Sequence, residues 1–311
     1  MKSKQPMFVR MITLLSLLSF SGCASLGKAM FHWHKDRERS AAMLEEKKIE
    51  VGEHEIVYLE GGQGPTLLLL HGFGAYKDTW TRFAKEVVKD FHVVIPDLPG
   101  HGLSTRMMSE SYDIESQRER LKGFHAALEL DVVHLVGNSM GGQLAVAYAI
   151  THPRDVATMT LFTAGGVHEP QPSKWRQEAA KGKNILVPST AEAYDALLDQ
   201  LFVERPYVPG PVMTYFAEQT VKHAEFTKKI WADLLSHPFL LDDKLAEVRT
   251  PTLVVWGDTD LIIDPSAAQV LADGIAGSEL VMLKDCGHVP MLERPEESGE
   301  VFKAFIAQHL L

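Results

Sequence analysis

Cysteine is nearly missing from this chain: 311 residues carry only Cys23 and Cys286. A disulfide framework and a thiolate metal site are thereby excluded as the source of stability, and 45% hydrophobic content must supply it. That is sufficient, because a domain near this size buries roughly 75% of its unfolded surface. Positive charge is also short, with 31 Lys and Arg against 41 Asp and Glu for a net charge of -10. Nucleic acid is excluded as a partner, since a phosphate backbone needs a dense basic footprint. The balance favours an uncharged or apolar substrate. Fixed-period repeats and low-complexity tracts are absent, which excludes solenoids and extended tails. His32 and His34 lack the further His, Cys or acidic neighbours that a metal site requires, so neither a metal nor another cofactor is expected.

A long apolar run is missing too. Lys2, Lys4 and Arg10 precede a short one, Met11 to Phe20, which ends in Ser21-Gly22-Cys23. As a helix it would reach only about half of the ~30 Å hydrocarbon core, so residues 1–22 read as a signal peptide and not as a spanning anchor. The small residues before Cys23 resemble a bacterial lipobox, with Phe20 where an aliphatic residue is usual. The resemblance implies lipidation of Cys23, a membrane partner and a place in the bacterial envelope. Ala24 after the cysteine resembles the pattern of outer-membrane sorting in a Gram-negative host; secretion after cleavage is the alternative. A lipidated Cys23 leaves Cys286 without a partner, as a buried free thiol. Residues 23–48, polar and basic with little periodicity, read as a tether or a short surface helix.

From residue 49 onward the pattern becomes regular. Short β-rich runs occur at Ile49 to Val51, Glu55 to Leu59, Thr66 to Leu70, His92 to Ile95, Val132 to Val136, Met159 to Phe162, Thr252 to Trp256 and Leu280 to Leu283. Helical segments alternate with them, including Glu115 to Leu130 and a last helix opened by Pro295. The later strands are continuous apolar runs, as strands covered on both faces require. The fold class is α/β: a doubly wound, mostly parallel, eight-stranded sheet. About seventy residues from His168 to His237 interrupt the alternation and read as a helical cap. The organisation is therefore core (49–167), cap (168–238) and core again (239–311). The cap carries Trp175, Phe202, Tyr207, Tyr215, Phe216 and Trp231, of which a minority should line an apolar acyl pocket.

The chemistry begins at Gly137-Asn138-Ser139-Met140-Gly141-Gly142, directly between a strand and a helix. In such an elbow the serine takes a strained backbone and flanking glycines let strand and helix approach closely. A serine hydroxyl needs a base within hydrogen-bond reach. Of fourteen histidines, His288 alone follows a late strand by a short loop and precedes the final helix. The carboxylate that fixes its tautomer is Asp260, in Trp256-Gly257-Asp258-Thr259-Asp260; Asp258 suits the turn and Asp264 the start of the next helix. The backbone N–H groups of Phe73, in His71-Gly72-Phe73-Gly74, and of Met140 are placed to hold a tetrahedral oxyanion. His71 should brace that loop, and Asp97 to Gly102 should be structural.

With these motifs in register, residues 49–311 resemble the capped α/β-hydrolase superfamily. Glu53 to Tyr58, Leu98-Pro99-Gly100 and the elbow most resemble bacterial lipases and esterases akin to monoacylglycerol lipases. The resemblance implies an acyl-ester lipid substrate and a serine hydrolase that works through an acyl-enzyme. Relatives that hydrolyse epoxides or carbon–halogen bonds carry Asp where Ser139 stands. Hydrolases of carbon–carbon bonds in aromatic ring-cleavage products share the elbow but usually carry Trp after the histidine, where this chain has Val289. A noncatalytic lipid-binding envelope protein is the alternative of another class. Nothing in the sequence sets an oligomeric state.

Overall fold

The computed structural model describes residues 27–309; the signal-peptide segment and Cys23 lie outside them. Eight strands form one sheet: β1 (Leu44–Val51), β2 (His54–Gly61), β3 (Thr66–Leu70), β4 (His92–Pro96), β5 (Val133–Asn138), β6 (Val156–Phe162), β7 (Thr252–Gly257) and β8 (Glu279–Leu283). Their spatial order is β1-β2-β4-β3-β5-β6-β7-β8. β1 and β2 run antiparallel, and the pairs from β3–β4 to β7–β8 are parallel. The sheet is thus the doubly wound, mostly parallel one expected.

The continuous apolar runs have a direct cause. Side chains alternate between faces along a strand, and both faces are covered. Leu68 and Leu70 of β3 enter one core with α3 (Ile114–Ala127), α4 (Met140–Thr151) and α9 (Ser266–Gly274). Leu67 and Leu69 enter the other, with α2 (Thr81–Val87) and α11 (Pro295–Ala307). All four leucines are fully buried, each contributing roughly 1.5–3 kcal/mol. Val254 and Trp256 against Leu253 and Val255 repeat the division in β7. Pro295 opens α11, where its missing N–H costs nothing.

Of the two readings given for residues 23–48, a tether or a short surface helix, the part described takes the helical one, and the sheet begins earlier than expected. Residues 27–41 form a helix, α1, and β1 starts at Leu44, five residues before the run at Ile49. Alternation failed to reveal this part of β1 because Glu45 to Lys48 are exposed at the sheet edge. Backbone pairing from Leu44↔Gly61 to Val51↔His54 sustains the strand, with ion pairs Lys47–Glu60 (2.7 Å) and Lys48–Glu55 (2.8 Å) across it. α1 is held by a buried arginine: Arg39 Nε and Nη2 donate to Asp78, and Nη2 also to Glu46. Phe31 packs on Tyr215 and Phe216.

Between β6 and β7 stand four helices, α5 (Lys174–Ala179), α6 (Ala191–Leu201), α7 (Gly210–Lys222) and α8 (Ala224–Ser236). They lie over the carboxyl edge of the sheet. A short helix, α10 (Pro290–Glu293), precedes α11. At that edge the loops after β3 and β4 are tied together. The Nδ1–H of His71 donates to the Gly72 carbonyl (2.8 Å), which leaves Nε2 to accept the Leu98 N–H (3.0 Å). Asp97 accepts from Lys77 Nζ, Lys77 N and Leu103 N, each at 2.7 Å.

Burial holds His71 down to about 4, so the native protein keeps it neutral. The unfolded chain takes up that proton below about pH 6.5. Stability should therefore fall as pH drops from about 6.5 to 4, by up to about 1.4 kcal/mol per pH unit from this one group. Urea unfolding at pH 7 and pH 5 measures the slope. His71→Gln, whose amide oxygen can still accept from Leu98, should reduce it by this one group's share; an unchanged slope would place its source in other groups.

Candidate active site

Ser139 occupies a left-handed backbone conformation, φ 56° and ψ -119°, at the end of β5. Such a conformation costs about 1–3 kcal/mol in a non-glycine residue, and the surroundings hold it. Its N–H donates to Phe162 O (3.1 Å), and its carbonyl accepts from Gly142 N (3.0 Å), Gln143 N (3.1 Å) and Gly165 N (3.0 Å). The flanking glycines are required by contact: a Cβ on Gly137 would sit 2.2 Å from the Gly141 carbonyl oxygen, and one on Gly141 2.3 Å from that of Leu70. β5 and α4 therefore meet with nothing between them, which leaves Ser139 half-buried at the floor of a cavity.

β7 and β8 bring the other two residues. His288 Nδ1 lies 2.8 Å from Asp260 Oδ2, and both side chains are buried. A carboxylate accepts, so Nδ1 carries the hydrogen and Nε2 keeps its lone pair. The second oxygen of Asp260 accepts from Ile262 N (2.8 Å) and Ile263 N (3.1 Å). The competing acids are engaged elsewhere: Asp258 is exposed and accepts from the Thr259 hydroxyl, while Asp264 accepts from Ser266 N at 2.9 Å at the head of α9.

The structure brings Phe73, Ser139 and His288 to the wall of one cavity of about 490 Å³. Gly72 sits against the elbow, where an added Cβ would come 3.1 Å from Ser139 Cβ. Met140 is the first residue of α4, so its N–H has no partner within the helix; its side chain is buried in the core beneath. Of the aromatics expected there, Phe202, Tyr215 and Phe216 line the cavity, and Tyr194 of α6 joins them. Trp231 instead packs on Phe73 and Trp175, and Tyr207 is exposed. Cys286 is buried and has no disulfide partner among the described residues, its thiol pushed up to about 12 by burial and then by the charge of Glu293. Among the described residues no cluster of His, Cys, Asp or Glu is arranged to hold a metal ion.

Several supports had no signature in the sequence. The carbonyl of His288 accepts from Asn138 Nδ2 (3.1 Å) and from Thr163 Oγ1 (2.7 Å), and its N–H donates to Leu201 O (2.8 Å) at the end of α6. Glu293 accepts from Gly287 N (2.9 Å) with one oxygen, and from Val203 N (3.0 Å) and Glu204 N (2.7 Å) with the other. One carboxylate thus joins the histidine loop to the cap. Asn138 lay within the elbow motif, but its partners are 24 to 150 residues away. α1 also reaches the cavity, where Phe31, His34 and Lys35 form part of its wall.

Residues 67–299 match the alpha/beta hydrolase family. Lipase 1 of Psychrobacter immobilis is 36% identical over 273 residues, 86% of each chain. The human monoacylglycerol lipase ABHD6 is 32% identical over 257 residues, 79% of this chain and 76% of its own. A solved membrane phospholipase A, described as a bacterial virulence factor, superposes with a TM-score of 0.90 at 37% identity, covering 97% of this chain and 99% of that one. By the extent of the family match and the identity of these relatives along most of both chains, the chain belongs to the alpha/beta hydrolase family.

Proposed function

We propose that the protein is a serine carboxylic-ester hydrolase, a lipase or esterase that cleaves fatty-acyl esters through an acyl-enzyme. The observation that carries this reading is the His288–Asp260 pair at 2.8 Å on the cavity that Ser139 floors. His288 Nε2, an acceptor by virtue of Asp260, takes the Ser139 proton as Oγ attacks the ester carbonyl. The N–H groups of Phe73 and Met140 receive the negative charge on the carbonyl oxygen. His288 then gives its proton to the leaving alcohol, and water, deprotonated in turn by His288, hydrolyses the acyl-enzyme. The lipase names of the relatives support an acyl-ester lipid as substrate.

The envelope is the proposed location, with a lipid on Cys23 as anchor; about 0.8 kcal/mol per buried methylene makes two or three acyl chains a stable hold. A membrane enzyme among the similar solved structures supports this. No helix among the described residues is long and apolar enough to cross a membrane.

Ser139→Ala should lower turnover of nitrophenyl esters by at least about 10³-fold with the fold intact, and should abolish labelling by a fluorophosphonate; a labelled, active variant overturns the nucleophile. Asp260→Asn should cost on the order of 10⁴-fold in kcat, and a larger loss at Asp258 or Asp264 would reassign the acid. Cleavage of a vinylogous diketone but of no ester would replace ester hydrolysis with carbon–carbon hydrolysis. Fractionation of cells carrying Cys23→Ser should find the protein released from membranes, and undiminished membrane association would remove the lipid from this account.

A further inference from the structure

The cavity above Ser139 has two unlike ends. Beside His288 its wall is Leu197, Leu198, Leu201 and Phe202, with Leu292 from α10. Where the loop after β4 meets the junction of α7 and α8, the wall is polar and includes His101, Arg106, Gln219, Thr220 and His223.

Arg106 is the cation at that end, and Asp97 of the same loop also lines the cavity. The arginine Nη2 donates to the Gly102 carbonyl at 2.6 Å, and among the described residues its guanidinium has no carboxylate partner. Asp97, whose charge reaches it, is itself paired with Lys77 at 2.7 Å. Burial lowers the proton affinity of Arg106, yet a guanidinium stays charged at any physiological pH. The two imidazoles on this wall are not competing cations. Burial, then the charges of His71 and Arg106, depress His101 to about 3, and burial followed by Arg106 lowers His223. His101 Nδ1 lies 3.3 Å from Pro99 O, and its buried Nε2 has no partner among the described residues. With Nδ1 as the donor, Nε2 is left to accept from a hydroxyl.

A partly desolvated cation with unused donors is unfavourable in an empty cavity and favourable once an anion arrives, and the fork of an arginine fits phosphate oxygens in pairs. We propose that Arg106 is the centre of an anion subsite that takes the phosphate of an acyl ester whose alcohol carries one. The acyl chain lies along Leu197 to Phe202, so the alcohol extends from Ser139 toward Arg106, and a hydroxyl on it meets His101. This assignment rests on the ester-hydrolase reading for which half of the substrate is which. The overall charge of -10 favoured an uncharged substrate; the cavity wall carries the opposite sign locally.

The test is binding to the full-length Ser139→Ala protein, where nothing is turned over. Decyl phosphate, decanol and inorganic phosphate are compared by the rise in Tm over a concentration series. Decyl phosphate should bind more tightly than decanol. Adding Arg106→Gln should weaken decyl phosphate by roughly 10- to 100-fold, the scale of a charged hydrogen-bond pair, while Arg106→Lys should retain part of the preference. A preference that survives Arg106→Gln overturns the subsite, and so does a response to inorganic phosphate as large as that to decyl phosphate. Should Arg106→Gln not fold, the Ser139→Ala protein decides alone: decanol bound as tightly as decyl phosphate overturns the proposal. Failure of ester hydrolysis is read separately, from turnover by the unmodified chain.

Discussion

The left-handed backbone of Ser139 is the constraint around which the carboxyl edge of the sheet is organised. A residue with a side chain stays at φ 56° only if its neighbours remove the alternatives. Here β6 takes the N–H, α4 and Gly165 share the carbonyl, and glycine at 137 and 141 lets strand and helix touch. Thr163, itself at φ 45°, continues the pattern into the next strand and places its hydroxyl on the His288 carbonyl. The strain at the proposed nucleophile and the position of the proposed base are thus set by one connected group of backbone contacts.

Much of this was legible because it is local. The elbow, Trp256 to Asp260 and Cys286 to His288 each sit in a few consecutive residues after an apolar strand, and strand order carries them to one edge. The contacts that hold them were not legible, because they join residues far apart. Glu293 binding Val203 and Glu204, or Leu201 receiving the His288 N–H, leaves no periodicity behind. The sequence left residues 23–48 open between a tether and a short surface helix for a related reason. α1 is fixed by Phe31 against the cap and by Arg39 with two carboxylates, so its few anchors are hidden among polar residues. Arg106 stands in no motif; the fold sets it on the cavity wall, with no carboxylate partner among the described residues.

The cavity joins contributions from parts of the chain that a linear division keeps apart. α1, the loops after β3 and β4, the cap and α10 all supply its wall, so the boundary between core and cap does not coincide with the boundary of the binding site. Alternating strands and helices establish the scaffold. The shape presented to a ligand depends on helices that pack across that scaffold and on side chains such as Phe216, which touches both α1 and Tyr76.

The Glu293 bridge has a mechanical consequence. Because one carboxylate holds residues 203–204 and Gly287 together, while Leu201 holds the N–H of His288, the end of α6 and the imidazole share their degrees of freedom. A cap that lifted at this end would carry the histidine out of register with Ser139. The α6 side is therefore the wall of the cavity that is tied directly to the loop of His288. Leu201 thus belongs both to the cavity wall, by its side chain, and to the support of the His288 loop, by its carbonyl.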